Sequence, residues 1–158
     1  MTNFSEEGEL QERGERPKNI RVLLVEDEEV PKAMIELVLR REVNTIVTSC
    51  TTAEEAIQLI NSRKKANSPF DLVITDAGLA GKLSGFDVAK AAKDVPEGKK
   101  PPHVVLFTGD AERFLSENTP EQLREKGIDE VWGKPLQLQQ LRNVVSQVRN
   151  PSSEQPNQ

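Results

Sequence analysis

The amino-acid sequence predicts an α/β fold, a five-stranded parallel sheet doubly wound by helices. Short apolar runs recur five times along the chain, and each stops at a polar or acidic residue. Segments of helical period separate them, long enough at about 10–15 residues for right-handed crossovers that lay helices on both faces of the sheet. The first run, IRVLLV at 20–25, is continuous rather than alternating, which is the pattern of a strand covered on both sides.

The elements follow in order. The first strand, 20–25, ends abruptly in Glu26, Asp27, Glu28 and Glu29. Pro31 falls in a first helical turn, where its missing N–H costs nothing, and Met34, Ile35, Val38 and Leu39 continue at helical spacing to about Arg41. Thr45 to Ser49 reads as the second strand, and Thr52 to Lys64 as a helix with Ala53, Ala56, Ile57 and Ile60 on one face. Phe70 to Thr75 forms the third strand and closes on Asp76; a loop from Ala77 to Gly85 precedes a helix marked by Phe86, Val88, Ala89 and Ala92. Pro101 and Pro102 introduce a fourth strand, His103 to Phe107, which ends at Thr108, Gly109 and Asp110. Residues 111–126 have helical composition, with Asn118, Thr119 and Pro120 breaking and restarting the helix and Gly127 capping it. Ile128 to Trp132 forms the fifth strand, and Leu136 to Val148 a last helix with Leu138, Leu141, Val144, Val145 and Val148 inward. The expectation is five strands alternating with five helices.

At 158 residues the chain is about one domain in length. Residues 1–18 carry five acids against three bases and few apolar residues, so they read as a disordered acidic tail; 150–158 reads as a second disordered tail, leaving 19–149 as the folded domain. That middle part holds 20 acids against 18 bases. A net charge of −5 without a basic stripe argues against nucleic acid or an anionic membrane as partner, since both require clustered Lys and Arg. No apolar run approaches a membrane span and the Glu-rich start has no signal-peptide core, so the expected location is cytoplasmic. The single cysteine, Cys50, excludes an internal disulfide and a multi-cysteine zinc site.

In a parallel sheet of this kind the ligand site lies beyond the carboxyl ends of the strands. Glu26 and Asp27 follow strand one, Asp76 follows strand three, Thr108 strand four and Lys134 strand five. Three carboxylates at one edge repel each other unless a cation sits among them. Oxygen ligands without His or Cys favour Mg²⁺. With Lys134 opposite and the Thr108 hydroxyl as a hydrogen-bonding group, the set suits phosphoryl oxygens, with an Asp76 carboxylate oxygen as the attacking atom of an acyl-phosphate-forming transfer.

These residues carry a resemblance. VEDEE after strand one, DLVITD ending at Asp76, the later Gly85, LFTG containing Thr108 and GIDEVWGKPL containing Lys134 and Pro135 stand in order on the expected strands. Over about 19–149 the chain resembles the receiver domain of two-component response regulators and is similar to the chemotaxis regulators, whose flavodoxin-like (βα)5 sheet has strand order 2-1-3-4-5. The resemblance implies that Asp76 accepts a phosphoryl group from a histidine kinase or a histidine phosphotransfer protein. It implies that Asp27 binds Mg²⁺ directly, Glu26 through water and Gly78 through its carbonyl, that Thr108 and Lys134 bind phosphoryl oxygens, and that the Lys134–Pro135 bond is cis. It further implies a protein that is no enzyme on outside substrates, catalysing only its own phosphorylation and dephosphorylation. It would act as a monomer or weak dimer through the face of helix four, strand five and helix five, by switching an unknown protein partner or by relaying phosphate.

The chain departs from the family pattern in places. Leu79-Ala80-Gly81-Lys82 replaces the usual Met-Pro of the loop after Asp76, Val131 stands where many members have Tyr or Phe, and the stretch from Thr108 to Lys134 is longer than usual. Aromatic gating therefore does not carry over, and alternation places Trp132 in the core. Gly109 leaves the acceptor open, and Gly78 and Asp110 hold the positions at which members tune phosphate loss. Glu28 and Glu29 read as helix caps rather than ligands, His103 as a surface or edge residue, and Cys50 as a small, partly buried residue. With nine residues after Arg149, the expectation is a stand-alone regulator. Two rivals are a Mg²⁺-dependent phosphohydrolase of haloacid dehalogenase type, which would want a second Asp where Gly78 stands, and a receiver kept as an unphosphorylated docking module. A flavodoxin-like electron carrier fits worse, because Glu26 to Glu29 would repel its phosphate.

Overall fold

The computed structural model describes residues 19–151. The proposed tails, 1–18 and all but the first two residues of 150–158, lie outside the described residues. The strands are β1 (Ile20–Val25), β2 (Thr45–Cys50), β3 (Leu72–Asp76), β4 (His103–Thr108) and β5 (Glu130–Gly133). The helices are α1 (Glu29–Arg41), α2 (Ala53–Lys65), α3 (Gly85–Lys93), α4 (Ala111–Glu117), α5 (Pro120–Glu125) and α6 (Leu138–Arg149). All pairings are parallel, as the alternation of strands and helices predicts, and the sheet order is β2-β1-β3-β4-β5, as the resemblance implies.

Successive strand residues point to opposite faces, and two cores result. Leu23, Val25, Val73, Val104 and Leu106 pack with Ala53, Ala56 and Ile60 of α2, Val88, Ala89 and Ala92 of α3, and Leu123 of α5. On the other face Val22, Leu24, Ile74, Val105 and Phe107 pack with Ile35 and Leu39 of α1 and Leu141, Val144 and Val145 of α6. Trp132 joins this second core at 5% exposure, as alternation along β5 predicts. Each fully buried Leu, Ile or Phe here is worth roughly 1.5–3 kcal/mol of transfer free energy.

The helices are five in expectation and six among the described residues. The break at 118–120 makes two separate helices because Thr119 caps α5: its side chain accepts from the Gln122 N–H, Gln122 returns a bond to the Thr119 N–H, and Pro120 takes the first turn. Ser84 and Asp87 build a similar box at the start of α3, and Thr52 caps α2 by accepting from Glu55. Gly127 closes α5 at φ +85°, with Ala89 O only 2.9 Å from where a Cβ would stand.

Four local expectations need correction. Leu138 is 47% exposed, not inward: it opens α6 before the helix has turned onto the sheet, and Leu136 packs against the core instead. Glu28 occupies the N-cap position of α1 but its side chain makes no capping bond; its N–H is satisfied by Glu26. His103 is on an interior strand, half-buried, with Nε2 2.7 Å from Glu130. Cys50 is 4% exposed, fully rather than partly buried, and burial, with Glu55 adding to it, pushes its thiol up to about 12.

Candidate functional site

The site forms because four parallel strands end at one edge and each hands over a polar residue as its apolar run stops. Glu26 and Asp27 follow β1, Asp76 is the last residue of β3, Thr108 the last of β4, and Lys134 follows β5. Backbone bonds lock these ends in register: Glu26 N–H to Cys50 O at 3.1 Å, Ala77 N–H to Phe107 O at 2.9 Å and Lys134 N–H to Thr108 O at 3.1 Å. Gly85 fixes the loop after Asp76, because a Cβ there would lie 2.2 Å from the Asp76 carbonyl oxygen. Only glycine lets α3 start this close to the end of β3.

Asp76 is 5% exposed. Its Oδ1 accepts the Gly78 N–H at 3.0 Å and its Oδ2 accepts from Lys134 Nζ at 2.9 Å. Glu26 is completely buried. Its Oε2 accepts the Glu28 N–H at 2.9 Å, while Oε1 makes no hydrogen bond and faces the Lys134 ammonium at 3.5 Å. Asp27 is half-buried and accepts the Ala80 N–H at 3.2 Å, which ties the atypical 79–82 stretch to the site. One oxygen each from Glu26, Asp27 and Asp76 lies within 4.8 Å of the others.

Charge is unbalanced here. Burial pushes the Glu26 carboxyl up to about 7; the Glu28 N–H and Lys134 pull it down, while the Asp76 charge and a hydrogen bond that the protonated Glu26 donates to the Asp27 carboxylate push it up further. Burial lowers the Lys134 ammonium, but its bond to Asp76 and the charges of Asp76 and Glu26 more than offset this and hold it above its ordinary value. Lys134 also lies over the Phe107 ring, 5.1 Å from its centroid. One ammonium faces two of the three clustered carboxyl groups, and a buried carboxylate oxygen of Glu26 is left without a hydrogen-bond donor. That donor set and that orphaned atom fit a hard divalent cation.

The Lys134–Pro135 peptide is cis, as the resemblance implies. Thr108 stands at the same edge, but its hydroxyl accepts the Asp110 N–H at 3.2 Å rather than meeting the acidic group. Gly78 touches Asp76 through its N–H, and a side chain at that position would enter open space. The Ala80 contact to Asp27 and the Phe107 ring beneath Lys134 are not readable from residue order, since both depend on chain segments far apart in sequence.

A family model described as the response regulator receiver domain matches residues 22–146. The chain belongs to this family. Among solved structures it is similar to a candidate response regulator from Chloroflexus aurantiacus J-10-fl, at 27% identity over 84% of this chain and 98% of that one, with a TM-score of 0.64. It is also similar to the signal receiver domain of a candidate Luxo repressor protein from Vibrio parahaemolyticus, at 25% identity over 87% and 93% of the two chains, with a TM-score of 0.66. At 20% identity the receiver domain of a Pseudomonas aeruginosa PAO1 sensor histidine kinase shares the fold over 84% and 98%, with a TM-score of 0.65; its structure carries a magnesium ion coordinated in the active-site cleft. No curated protein matches. Receivers of this family are in general signalling phosphoacceptors rather than enzymes in the ordinary sense. Among the described residues no helix is long and apolar enough to cross a membrane.

Proposed function

We propose that this receiver accepts a phosphoryl group on Asp76 from the phosphohistidine of a histidine kinase or histidine phosphotransfer protein. The observation that carries the reading is the grip on Asp76: Lys134 on one carboxylate oxygen, the Gly78 N–H on the other, and two more carboxyl groups beside it. In the transfer the P–N bond of the donor breaks with its electron pair left on the ring nitrogen, and a P–O bond to an Asp76 carboxylate oxygen forms; with the donor's other ring nitrogen protonated, the imidazole leaves neutral. Lys134, already at Asp76 Oδ2, holds positive charge where a phosphoryl oxygen would sit. Asp27 and Asp76, with the Gly78 carbonyl and with Glu26 through water, would hold Mg²⁺, which when bound neutralises phosphoryl charge and aligns the donor.

Thr108 supplies the response. Its hydroxyl is free to exchange the Asp110 N–H for a phosphoryl oxygen, drawing in the loop between β4 and α4. The face of α4, α5, β5 and α6 then changes its packing and its affinity for a protein target, by the differential contacts of the two states. Val131 is half-buried against one core and Trp132 is buried in the other with its Nε1 on Glu130 at 2.9 Å, so the switch rests on Thr108 rather than on a swinging ring. Acetyl phosphate with Mg²⁺ tests the assignment. Intact-mass analysis is expected to find one hydroxylamine-labile phosphoryl group on the wild type and none on Asp76→Ala; equal incorporation in both refutes it.

A further inference from the structure

At the opposite end of the sheet from Asp76, the N-terminal edge opens into a groove of about 760 Å³. Phe70, Pro101 and Pro102 give it apolar walls, and Lys65, Lys99 and Lys100 stand exposed along it. Two further lysines there are already engaged: Lys64 donates to Asp94 O at 2.6 Å, and Lys93 pairs with Asp129 at 2.6 Å. Lys65, Lys99 and Lys100 have no ion-pair partner among the described residues. The groove therefore has apolar walls interrupted by Asp71, His103 and Asp129, of which Asp129 is paired with Lys93, and it is positively charged along its margin.

We propose that residues 4–10 of the chain's own N-terminal segment (FSEEGEL) dock in this groove, with Phe4 and Leu10 against its apolar walls and Glu6, Glu7 and Glu9 facing the three lysines. The segment leaves the fold at the groove itself. Arg21 N–H donates to the Asp71 carboxylate at 2.9 Å, Asp71 N–H donates back to Arg21 O at 2.8 Å, and Asp71 lines the groove. The stretch from Leu10 to Ile20 spans up to roughly 33 Å when extended, ample to fold back across the opening. Charge is ordered to match. The three bases of the segment, Arg13, Arg16 and Lys18, lie nearest its exit, whereas the Phe4 to Leu10 stretch carries three acids and no base. The other end of the chain also starts beside the groove, at Pro151, but residues 152–158 hold one acid and no large apolar side chain. Asp71 and Asp76 bracket one strand, about 17 Å from end to end, so the docked segment leaves the phosphoacceptor open.

A nitroxide at Ser5→Cys in the full chain, with Cys50→Ala so that no second thiol is labelled, tests this by paramagnetic broadening of backbone amides. The amides of Lys65, Phe70, Gly98, Lys99 and Lys100 are expected to broaden selectively. Broadening should fall away on raising salt and in the triple variant Lys65→Glu, Lys99→Glu, Lys100→Glu, and return when Glu6, Glu7 and Glu9 are also changed to Lys. Three results overturn the proposal: no broadening beyond that from free nitroxide, broadening indifferent to charge reversal and salt, or broadening of this groove from a label at Ser153→Cys but not at Ser5→Cys.

Discussion

Asp27→Asn separates repulsion from ligation, because without a cation the Asp27 charge is a liability and with one it is a ligand. Glu26, Asp27 and Asp76 bring oxygens within 4.8 Å of each other against a single ammonium. Two unit charges at that distance interact by about 3.5 kcal/mol at an effective dielectric constant near 20. Asp27 is half-buried and screened by solvent, so we expect about 1 kcal/mol of relief. Asparagine still accepts the Ala80 N–H through its amide oxygen, and no packing is lost. In EDTA the variant is thus expected to melt about 3–5 °C above wild type. Mg²⁺ should invert the order: at a hundred times its Kd it stabilises the wild type by about 2.7 kcal/mol, and the variant by far less. Thermal melts of both proteins with EDTA and across a Mg²⁺ titration measure the crossing. A variant less stable than wild type in EDTA would show that Asp27 does not repel its neighbours, and melting curves raised equally by Mg²⁺ would show that it does not ligate the cation.

Glu26 gives a pH signature in EDTA. Its folded pKa of about 7 lies above the ordinary 4.5, so between those pH values the unfolded chain releases a proton that the folded chain keeps, and stability falls as pH rises through that window. Denaturant melts of Glu26→Gln are expected to match wild type near pH 4 and to exceed it near pH 8; parallel curves for the two proteins contradict the assignment. Gly85→Ala forces a methyl group against the Asp76 carbonyl and should cost about 2–4 kcal/mol in chemical denaturation, with less than 1 kcal/mol contradicting the close approach. Cys50, held near 12 by burial, should react with iodoacetamide at pH 8 about a thousandfold more slowly in the native protein than in urea; equal rates would place the thiol at the surface.

The sheet was legible because its strands are buried on both faces and so appear as unbroken apolar runs, stopped where the chain meets solvent at Glu26, Asp76 and Thr108. That stop also marked the site, since a polar residue just past a parallel strand has one place to go. Boundaries were less legible. Leu138 fits the apolar period of α6, yet the first turn of a helix projects beyond the sheet edge. The division of α4 from α5 was visible as a break at Pro120, but its completeness depends on the Thr119 and Gln122 reciprocal bonds. What residue order could not supply were contacts between distant segments: Ala80 on Asp27, Phe107 under Lys134, and the ring pair of Phe86 and Phe114 at 5.5 Å. Nor could it assign the individual oxygens of Asp76 and Glu26, which follow from where loops close rather than from composition.

If the proposed function holds, this strand edge gathers a cation and a phosphoryl group around Asp76. A crystal structure grown with Mg²⁺ and beryllofluoride addresses it most directly. Beryllium is expected bonded to an Asp76 carboxylate oxygen, the metal on Asp27 and Asp76, and the Lys134 ammonium and Thr108 hydroxyl on fluorine atoms. Beryllofluoride bound elsewhere, or Asp76 still paired only with Lys134 and Gly78 at saturating concentrations of both reagents, would contradict it.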